Sequence, residues 1–148
     1  MLDEPDRSRT FRDADVVVLP AEAAAAVVQH ARFCFPEEAC GLLAADPTGR
    51  ITMVYCLTNL DRSPVRYTLA PAEHYHAWRH AEARGWELVG VFHSHPRAAP
   101  VPSARDVAGA LEPRWFHLIV GHVDTTPRLA VHRIVGGRVT TLDLRVEG

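Results

Sequence analysis

Short apolar runs alternate with amphipathic stretches along most of the chain, which predicts strands interspersed with helices. Apolar segments bounded by Gly, Pro or Asp are typical of strands. The predicted strands cover residues 16–20, 39–45, 51–58, 87–95, 116–122, 129–135 and 137–146, with a further short strand near Tyr67. Helices are predicted at residues 20–35, 71–85 and 103–111, the first two opened by a proline.

The order of these elements predicts an α/β (α+β) fold, a mixed and mainly antiparallel sheet flanked by helices. The turn sequence DPTGR joins residues 39–45 to residues 51–58 and predicts a hairpin, and Gly136–Gly137 predicts a second hairpin at the end of the chain. Residues 1–14 are polar and aperiodic. We therefore expect a flexible leader at 1–14 and a single domain over residues 15–148.

The amino-acid composition and charge argue against several classes of function. The chain has 148 residues, 47% of them apolar, and a formal net charge of -2, so no basic footprint for nucleic acid is predicted. The apolar runs are too short to span a membrane, and the charged N-terminus is unlike a secretory signal. Cys34, Cys40 and Cys56 form no C-x-x-C pair, which favours reduced, mostly buried thiols. We expect a cytoplasmic protein without nucleic-acid or membrane partners.

The sequence FHSHPRAAPVPSARD, residues 92–106, combines several side chains that can bind a metal. His93 and His95 alternate along a predicted strand and therefore point to the same face. Ser103 followed by Asp106 predicts a helix start, with Ser103 as N-cap and the carboxylate on a rigid first turn. Two imidazoles and one carboxylate leave one tetrahedral position open, as in catalytic zinc sites. Taken separately, the same residues are also typical of helix capping and of surface histidines.

A catalytic site of this kind needs a base, and the sequence FPEEACGLL supplies a candidate. Glu37 and Glu38 precede a predicted buried strand, where a carboxylate without a role would be unfavourable. Either glutamate is a candidate on position alone.

At this point the residues resemble a known family, the JAMM (MPN-plus) zinc metalloproteases. The resemblance rests on E-x-C-G-L-L, on H-S-H-P, and on the spacing of seven residues from His95 to Ser103 and two from Ser103 to Asp106. It covers about residues 16–145 and implies a JAMM/MPN (cytidine deaminase-like) fold. It also implies one Zn²⁺ held by His93, His95 and Asp106, with Glu38 as the catalytic base and Ser103 assisting the oxyanion.

The chain looks most like short bacterial members that release cysteine from the C-terminus of a sulfur-carrier protein. That resemblance implies a ubiquitin-like partner ending in Gly-Gly, and it is compatible with a homodimer. The chain lacks room for the long insertions of ubiquitin-specific eukaryotic members, which argues against ubiquitin itself as substrate. The alternatives are an isopeptidase that removes such a carrier from lysines, a non-catalytic MPN scaffold, and a small-molecule zinc hydrolase or deaminase. The last is disfavoured because the P-C-x-x-C ligand pattern of zinc deaminases is absent.

Other histidines and a cysteine compete for a chemical role. His76 and His80 lie four residues apart on a predicted helix, but no glutamate follows His76 to complete an H-E-x-x-H motif. Cys40 could be read as a nucleophile, although a cysteine in a buried strand is usually inert. The remaining histidines were assigned to a surface or structural role: His30, His74, His117, His122 and His132.

Overall fold

The computed structural model of the protein describes residues 16–148. These residues form seven strands, with three helices inserted between them. The strands are β1 (Val16–Pro20), β2 (Cys40–Ala45), β3 (Ile51–Leu57), β4 (Glu87–Ser94), β5 (Phe116–Gly121), β6 (Arg128–Val135) and β7 (Arg138–Glu147). The helices are α1 (Ala21–Cys34), α2 (Pro71–Ala83) and α3 (Ala104–Gly109). The predicted leader, residues 1–14, lies outside the described residues.

The strands form one sheet in the order β1-β7-β6-β5-β4-β2-β3. The pairs β1/β7 and β4/β5 are parallel, and the other four pairs are antiparallel. Although β1 and β3 lie at opposite ends of this order, they contact each other, so the sheet is curled. The predicted mixed, mainly antiparallel sheet is therefore confirmed, as are both predicted hairpins.

Helices cover both faces of the sheet, which explains why its central strands are continuously apolar. β2 and β5 are buried along their whole lengths, as expected for strands covered on both faces. α1 packs inside the curl against a large core that includes Leu19, Val27, Phe92 and Phe116. α2 covers the other face through a smaller cluster that includes Leu42, Ala77 and Val91.

The close packing of β2 against its neighbours depends on a glycine. A Cβ atom at Gly41 would lie 2.1 Å from the carbonyl oxygen of Tyr55 and 2.3 Å from the ring of Phe92. Both neighbours are held in the sheet, so any side chain at this position would push β3 or β4 away. Gly41 thus keeps β2 tight against β4, the strand that carries His93 and leads directly into His95.

Two local predictions were wrong. The segment near Tyr67 is irregular and forms only an isolated bridge between Asn59 and Leu69; its backbone is held by the Asn59 side chain instead of a strand partner. The thiols are free, as expected, but Cys40 alone is buried, whereas Cys34 is half-buried and Cys56 is exposed. Cys56 lies on β3, an edge strand, where alternate side chains face outwards.

Within residues 16–148, none of the helices is both long and apolar enough to cross a membrane.

Candidate active site

The register of β2 against β4 brings the two halves of the site together. Cys40 pairs with His93 in this antiparallel ladder. Continued two residues past this pair, the same antiparallel register places Glu38 opposite His95. Because side chains alternate between faces, Glu38 and His95 point to the same side as His93. A glutamate more than fifty positions away in sequence therefore lies beside the histidines.

Ser94 fastens this junction beyond the end of the regular ladder. Its backbone N–H donates to the carbonyl oxygen of Ala39 at 3.0 Å, and its Oγ accepts from the Ala39 N–H at 2.7 Å. Ser94 is fully buried. On the other side of Glu38, its backbone N–H donates to Ser63 at 2.8 Å and its carbonyl accepts from Asn59 Nδ2 at 3.0 Å. The backbone of Glu38 is thus held by both flanking segments.

His93 and His95 are both buried, with side chains fixed by different contacts. The ring of His93 stacks on Tyr67, with centroids 4.7 Å apart and planes inclined by 24°. His95 Nδ1–H donates to the carbonyl oxygen of Ala99 at 2.8 Å. Because a carbonyl can only accept, this bond places a proton on Nδ1. Nε2 is then the ring atom that faces Asp106, and it can bind a metal once its own proton is lost.

Asp106 is held by a capping box at the start of α3. The Ser103 Oγ accepts from the Asp106 N–H at 3.1 Å, and the Ser103 N–H donates to Asp106 Oδ2 at 2.8 Å. This is the predicted helix start, with Ser103 as N-cap. The same Oδ2 atom lies 3.1 Å from Nε2 of His93 and 3.1 Å from Nε2 of His95. The cap therefore aims the carboxylate at both imidazoles.

These three ligand atoms fit a zinc ion. The two imidazole Nε2 atoms lie 3.2 Å apart, so the three atoms form a nearly equilateral triangle. Ligands bonded to tetrahedral zinc at its usual bond lengths are separated by about 3.3 Å. Among residues 16–148, His93, His95 and Asp106 are the group of three or more such side chains that could hold a metal. Two nitrogens and one carboxylate oxygen also match the donors of catalytic zinc.

The charges of the three groups are tightly coupled. Burial lowers the pKa of His93, so its neutral form, the one that binds metal, is favoured. Burial acts in the same direction on His95, but its hydrogen bonds to Asp106 and Ala99 outweigh that effect and raise its pKa. Burial alone would raise the pKa of Asp106, yet the hydrogen bonds from both histidines hold it well below its usual value. The carboxylate therefore stays ionised.

Glu38 is the least satisfied charged group of the site. Its side chain is buried, and Oε1 has no hydrogen-bond partner among the described residues. Desolvation raises its pKa to about 7, although the nearby positive charge of His95 acts in the opposite direction. A carboxyl group with this pKa can both accept and return a proton near neutral pH. The neighbouring Glu37 is exposed to an intermediate degree and has no comparable environment.

A groove of about 660 Å³ leads away from the site. Its walls come from the segment around Tyr67, from α3 and from the loop that follows α3. Tyr67 and Asp106, which both contact His93, line it, as do Arg66 and Arg105. An extended chain bound in this groove would therefore lie against Asp106, one of the three ligand residues.

The competing residues have other environments. His80 Nδ1 lies 2.8 Å from the Tyr55 hydroxyl, and His76 lies beside Tyr75. His30 Nε2 lies within hydrogen-bonding distance of the carbonyls of Cys40 and Leu57. Burial raises the pKa of the Cys40 thiol to about 12, which keeps it protonated and makes it a poor nucleophile.

Sequence reasoning missed the residues that position the site. Tyr67, which stacks on His93, was expected in a strand, and Ser94 was passed over between the two histidines. Nothing in the spacing of Tyr67 indicates its contact, because an irregular segment delivers it. Ser94 did carry a signal: a serine at a strand position flanked by two site residues points to the opposite, core-facing side, where a hydroxyl needs a partner.

Two solved structures define the class of fold. A protein of Desulfitobacterium hafniense, DSY2949, superposes with a TM-score of 0.80 and 30% identity, over 89% of this chain and 92% of the other. AF2198, a JAB1/MPN domain protein of Archaeoglobus fulgidus, superposes with a TM-score of 0.59 and 16% identity, over 90% of this chain and 100% of the other. The predicted JAMM/MPN fold is confirmed.

The family follows from the sequence match. The family described as prokaryotic homologs of the JAB domain (Prok-JAB) matches residues 20–133, and this chain belongs to it. The CysO-cysteine peptidase of Mycobacterium tuberculosis is 37% identical over 127 residues, which cover 84% of this chain and 87% of that protein. The desampylase of Haloferax volcanii is 34% identical over 135 residues, which cover 87% of this chain and 95% of that protein.

Proposed function

We propose that this protein is a zinc-dependent peptidase that hydrolyses the amide bond after the C-terminal glycine of a sulfur-carrier or other ubiquitin-like protein. The observation that carries the proposal is the position of Glu38. A buried carboxyl group with a pKa near 7 and an unpartnered oxygen lies beside a metal-sized triangle of two imidazoles and a carboxylate. This combination suits the activation of water for amide hydrolysis.

The metal would be held by His93 Nε2, His95 Nε2 and Asp106 Oδ2. When bound there, zinc would acidify a water molecule and polarise the carbonyl group under attack.

Glu38 would act as the proton carrier of the reaction. Its ionised carboxylate accepts the proton of the attacking water, and the resulting carboxylic acid delivers that proton to the leaving amine. Burial makes both states accessible near neutral pH, because it raises the pKa of Glu38 to about 7. The Glu38 N–H donates to the Ser63 carbonyl and the Glu38 carbonyl accepts from Asn59, so the backbone is fixed and the carboxyl group stays near His95.

Ser103 would stabilise the negative charge that develops on the attacked carbonyl oxygen. Its Oγ accepts from the Asp106 N–H, which leaves the hydroxyl hydrogen for a further bond. Removing one such donor from an oxyanion site typically costs about 2.7–4 kcal/mol of transition-state stabilisation.

The substrate class is supported by the groove and by the relatives. Tyr67 and Asp106 line the groove, and its size suits the extended C-terminal tail of a carrier rather than a folded domain. A relative covering most of this chain is named CysO-cysteine peptidase. We therefore propose that the tail lies on one side of the scissile bond and that the group released from the other side is cysteine.

An isopeptidase acting on carriers attached to lysine side chains is the second candidate. The observation that favours it is the relative of Haloferax volcanii, whose name, desampylase, denotes removal of an attached group. Both candidates use the same ligands and the same base. They differ only in the amine that leaves.

The two candidates are separated with matched substrates. A sulfur-carrier protein ending in Gly-Gly is prepared with a C-terminal cysteine and, separately, joined to the ε-amino group of a lysine in a peptide. The zinc-loaded protein is incubated with each, and products are identified by mass spectrometry. We expect release of cysteine from the first substrate. Cleavage of only the lysine-linked substrate would reverse the order of the two candidates, and cleavage of neither would reject the proposed function.

A further inference from the structure

The loop between His95 and Ser103 is held by its carbonyl groups. This ligand loop, residues 96–102, joins β4 to α3 and therefore joins two of the proposed ligands to the third. The His122 N–H donates to Ala98 at 2.8 Å, and the Asp124 N–H donates to Pro96 at 3.0 Å. The two carbonyls in the middle of the loop are bound by imidazoles, and that of Ala99 also accepts from the Val101 N–H at 2.8 Å.

Those two carbonyls are neighbours in sequence but are held from different directions. Ala99 accepts from Nδ1–H of His95, a proposed ligand, at 2.8 Å. Pro100 accepts from Nε2–H of His132, on β6, at 2.8 Å. The peptide unit between Pro100 and Val101 links them: its carbonyl accepts from His132, and its N–H donates to the Ala99 carbonyl. Because this unit is planar, a shift of the Pro100 carbonyl also disturbs the acceptor that orients His95.

His132 is itself fixed in one tautomer. It is buried, and the Pro100 carbonyl can only accept, so the proton lies on Nε2. Its Nδ1 is then an acceptor, and the Thr141 hydroxyl, 3.0 Å away on β7, donates to it. Burial lowers the pKa of His132, which favours this neutral form. A chain of two hydrogen bonds thus links Thr141, through His132, to the ligand loop.

The loop also packs tightly on the end of β5, so it cannot relax independently. A Cβ atom at Gly121 would lie 2.4 Å from the nitrogen of Pro100 and 2.8 Å from the carbonyl carbon of Ala99. The backbone approaches this closely only because residue 121 is glycine. His132 and Gly121 therefore define the position of the same two loop residues, one by a hydrogen bond and the other by contact.

We propose that His132, oriented by Thr141, is a positioning residue for the metal site. Through Pro100 it fixes the ligand loop and the Ala99 carbonyl, and that carbonyl binds Nδ1–H of His95 and so directs Nε2 of His95 towards the metal position. The proposal rests on the metal-binding part of the proposed function, but it does not depend on the substrate. Partners of metal-binding imidazoles commonly set ligand orientation and metal affinity in this way.

The experiment uses four variants of the whole protein. His132→Phe keeps a ring but removes the donor, and His132→Gln restores an N–H that can reach Pro100. Thr141→Val removes the hydroxyl that orients His132 while preserving the shape of the side chain. Thr140→Val is the matched control, because it makes the same change on the adjacent residue, which is exposed like Thr141 but whose side chain points to the other face of β7.

Three measurements are made on each variant. Zinc affinity is determined by competition with a chelator, the hydrogen bond from His95 Nδ1–H to Ala99 is read by NMR from the chemical shift and solvent exchange of that proton, and exchange of the His122 amide hydrogen reports docking of the loop. We expect zinc affinity to fall about tenfold in His132→Phe, a loss at the lower end of the range for partners of ligands. Thr141→Val should show a smaller loss, His132→Gln should recover most of the affinity, and Thr140→Val should match the parent.

The NMR and exchange readouts keep the outcome interpretable. In His132→Phe and Thr141→Val we expect faster exchange of both the His122 amide hydrogen and the His95 Nδ1–H proton. If either folded variant binds zinc as the parent does, with the His95 Nδ1–H proton exchanging as slowly as in the parent, the proposal is wrong. Should His132→Phe fail to fold, Thr141→Val carries the test. A parent protein that binds zinc but cleaves no carrier conjugate would reject the proposed substrate without affecting this result.

Discussion

Two regions of this molecule contain nearly the same ionisable residues but arrange them differently. The site cluster comprises Glu38, His93, His95 and Asp106, and the α2 cluster comprises Glu73, His74, His76 and His80. The site cluster brings three ligand atoms within 3.1–3.2 Å of one another and leaves a buried glutamate oxygen without a partner. In the α2 cluster each described contact involves a different partner.

In the α2 cluster, Glu73 and His80 each have a hydrogen-bond partner. Glu73 accepts two hydrogen bonds from Thr58, at 2.7 Å from the N–H and 2.8 Å from the hydroxyl. His80 is paired with the Tyr55 hydroxyl. Along a helix, side chains project outwards around the axis, so neighbouring histidines separate unless a second element meets them.

The site cluster converges because three separate elements meet at one point. The end of β4 supplies the histidines, the approach to β2 supplies Glu38, and the cap of α3 supplies Asp106. Hydrogen bonds of the backbone hold each of these elements in place. The surrounding fold can therefore keep side-chain atoms at the site even where they have no hydrogen-bond partner. The two clusters do not differ in whether they contain histidines. They differ because the side chains of the site cluster converge on one point and one of its buried carboxylate oxygens has no hydrogen-bond partner.

The largest expected difference between the clusters concerns catalysis. Glu38→Gln should lower kcat for the carrier–cysteine substrate by about 10²–10⁴-fold, because the amide cannot accept the proton of the attacking water. Zinc content should stay at the parent level, since Glu38 is not a ligand. Glu73→Gln makes the same chemical change in the α2 cluster and should leave kcat unchanged. Steady-state kinetics with parallel metal analysis gives the answer. A Glu38→Gln enzyme with parental kcat would remove Glu38 from the mechanism.

The same comparison shows what the sequence could and could not predict. The H-S-H alternation and the Ser-x-x-Asp start of α3 are local patterns, and the structure brings those side chains together as the patterns imply. Strands and helices with strong apolar periodicity were predicted with nearly their observed bounds. These features depend on neighbours in sequence, so one chain contains enough information to predict them.

Contacts between distant segments were not predictable in this way. The stacking of Tyr67 on His93 depends on an irregular segment whose backbone is held by Asn59, and the bond from His132 to Pro100 spans 32 residues. Glu38 and Glu37 were separated by the family resemblance; from position alone both remained candidates. The register of β2 against β4 is what places Glu38 beside His95, and strand register is set by the whole sheet.

A second difference concerns metal binding. Asp106→Asn should weaken zinc affinity by at least about 100-fold, which exceeds the usual effect of losing a ligand's partner, because it replaces a charged ligand with a neutral amide. The double variant His76→Gln/His80→Gln should retain parental affinity. Competition with a chromophoric chelator measures both. Equal losses in the two proteins would mean that the α2 cluster shares the metal, and the contrast between the clusters would fail.

The smallest expected effect is on stability, and its sign is opposite to the usual result of altering a functional residue. The raised pKa of Glu38, about 7, means that the folded protein holds this proton more tightly than the unfolded chain does. Below the pKa of an ordinary glutamate both states are protonated. As pH rises through 7, the folded state must ionise a buried carboxyl group, and the stability contributed by its retained proton is lost.

Glu38→Gln removes this penalty because glutamine does not ionise. For the metal-free protein at pH 8 we expect the variant to exceed the parent in free energy of unfolding by about 1–2 kcal/mol, a figure reduced to allow for solvent screening. Near pH 4 the two proteins should be about equally stable. Urea unfolding with a chelator present, repeated from pH 4 to pH 8, measures the difference. Glu73→Gln should be no more stable than the parent at either pH, because its carboxylate already accepts two hydrogen bonds from Thr58. A constant difference between Glu38→Gln and the parent across this range would show that Glu38 titrates normally, and the site would then lack the proton carrier that separates it from the α2 cluster.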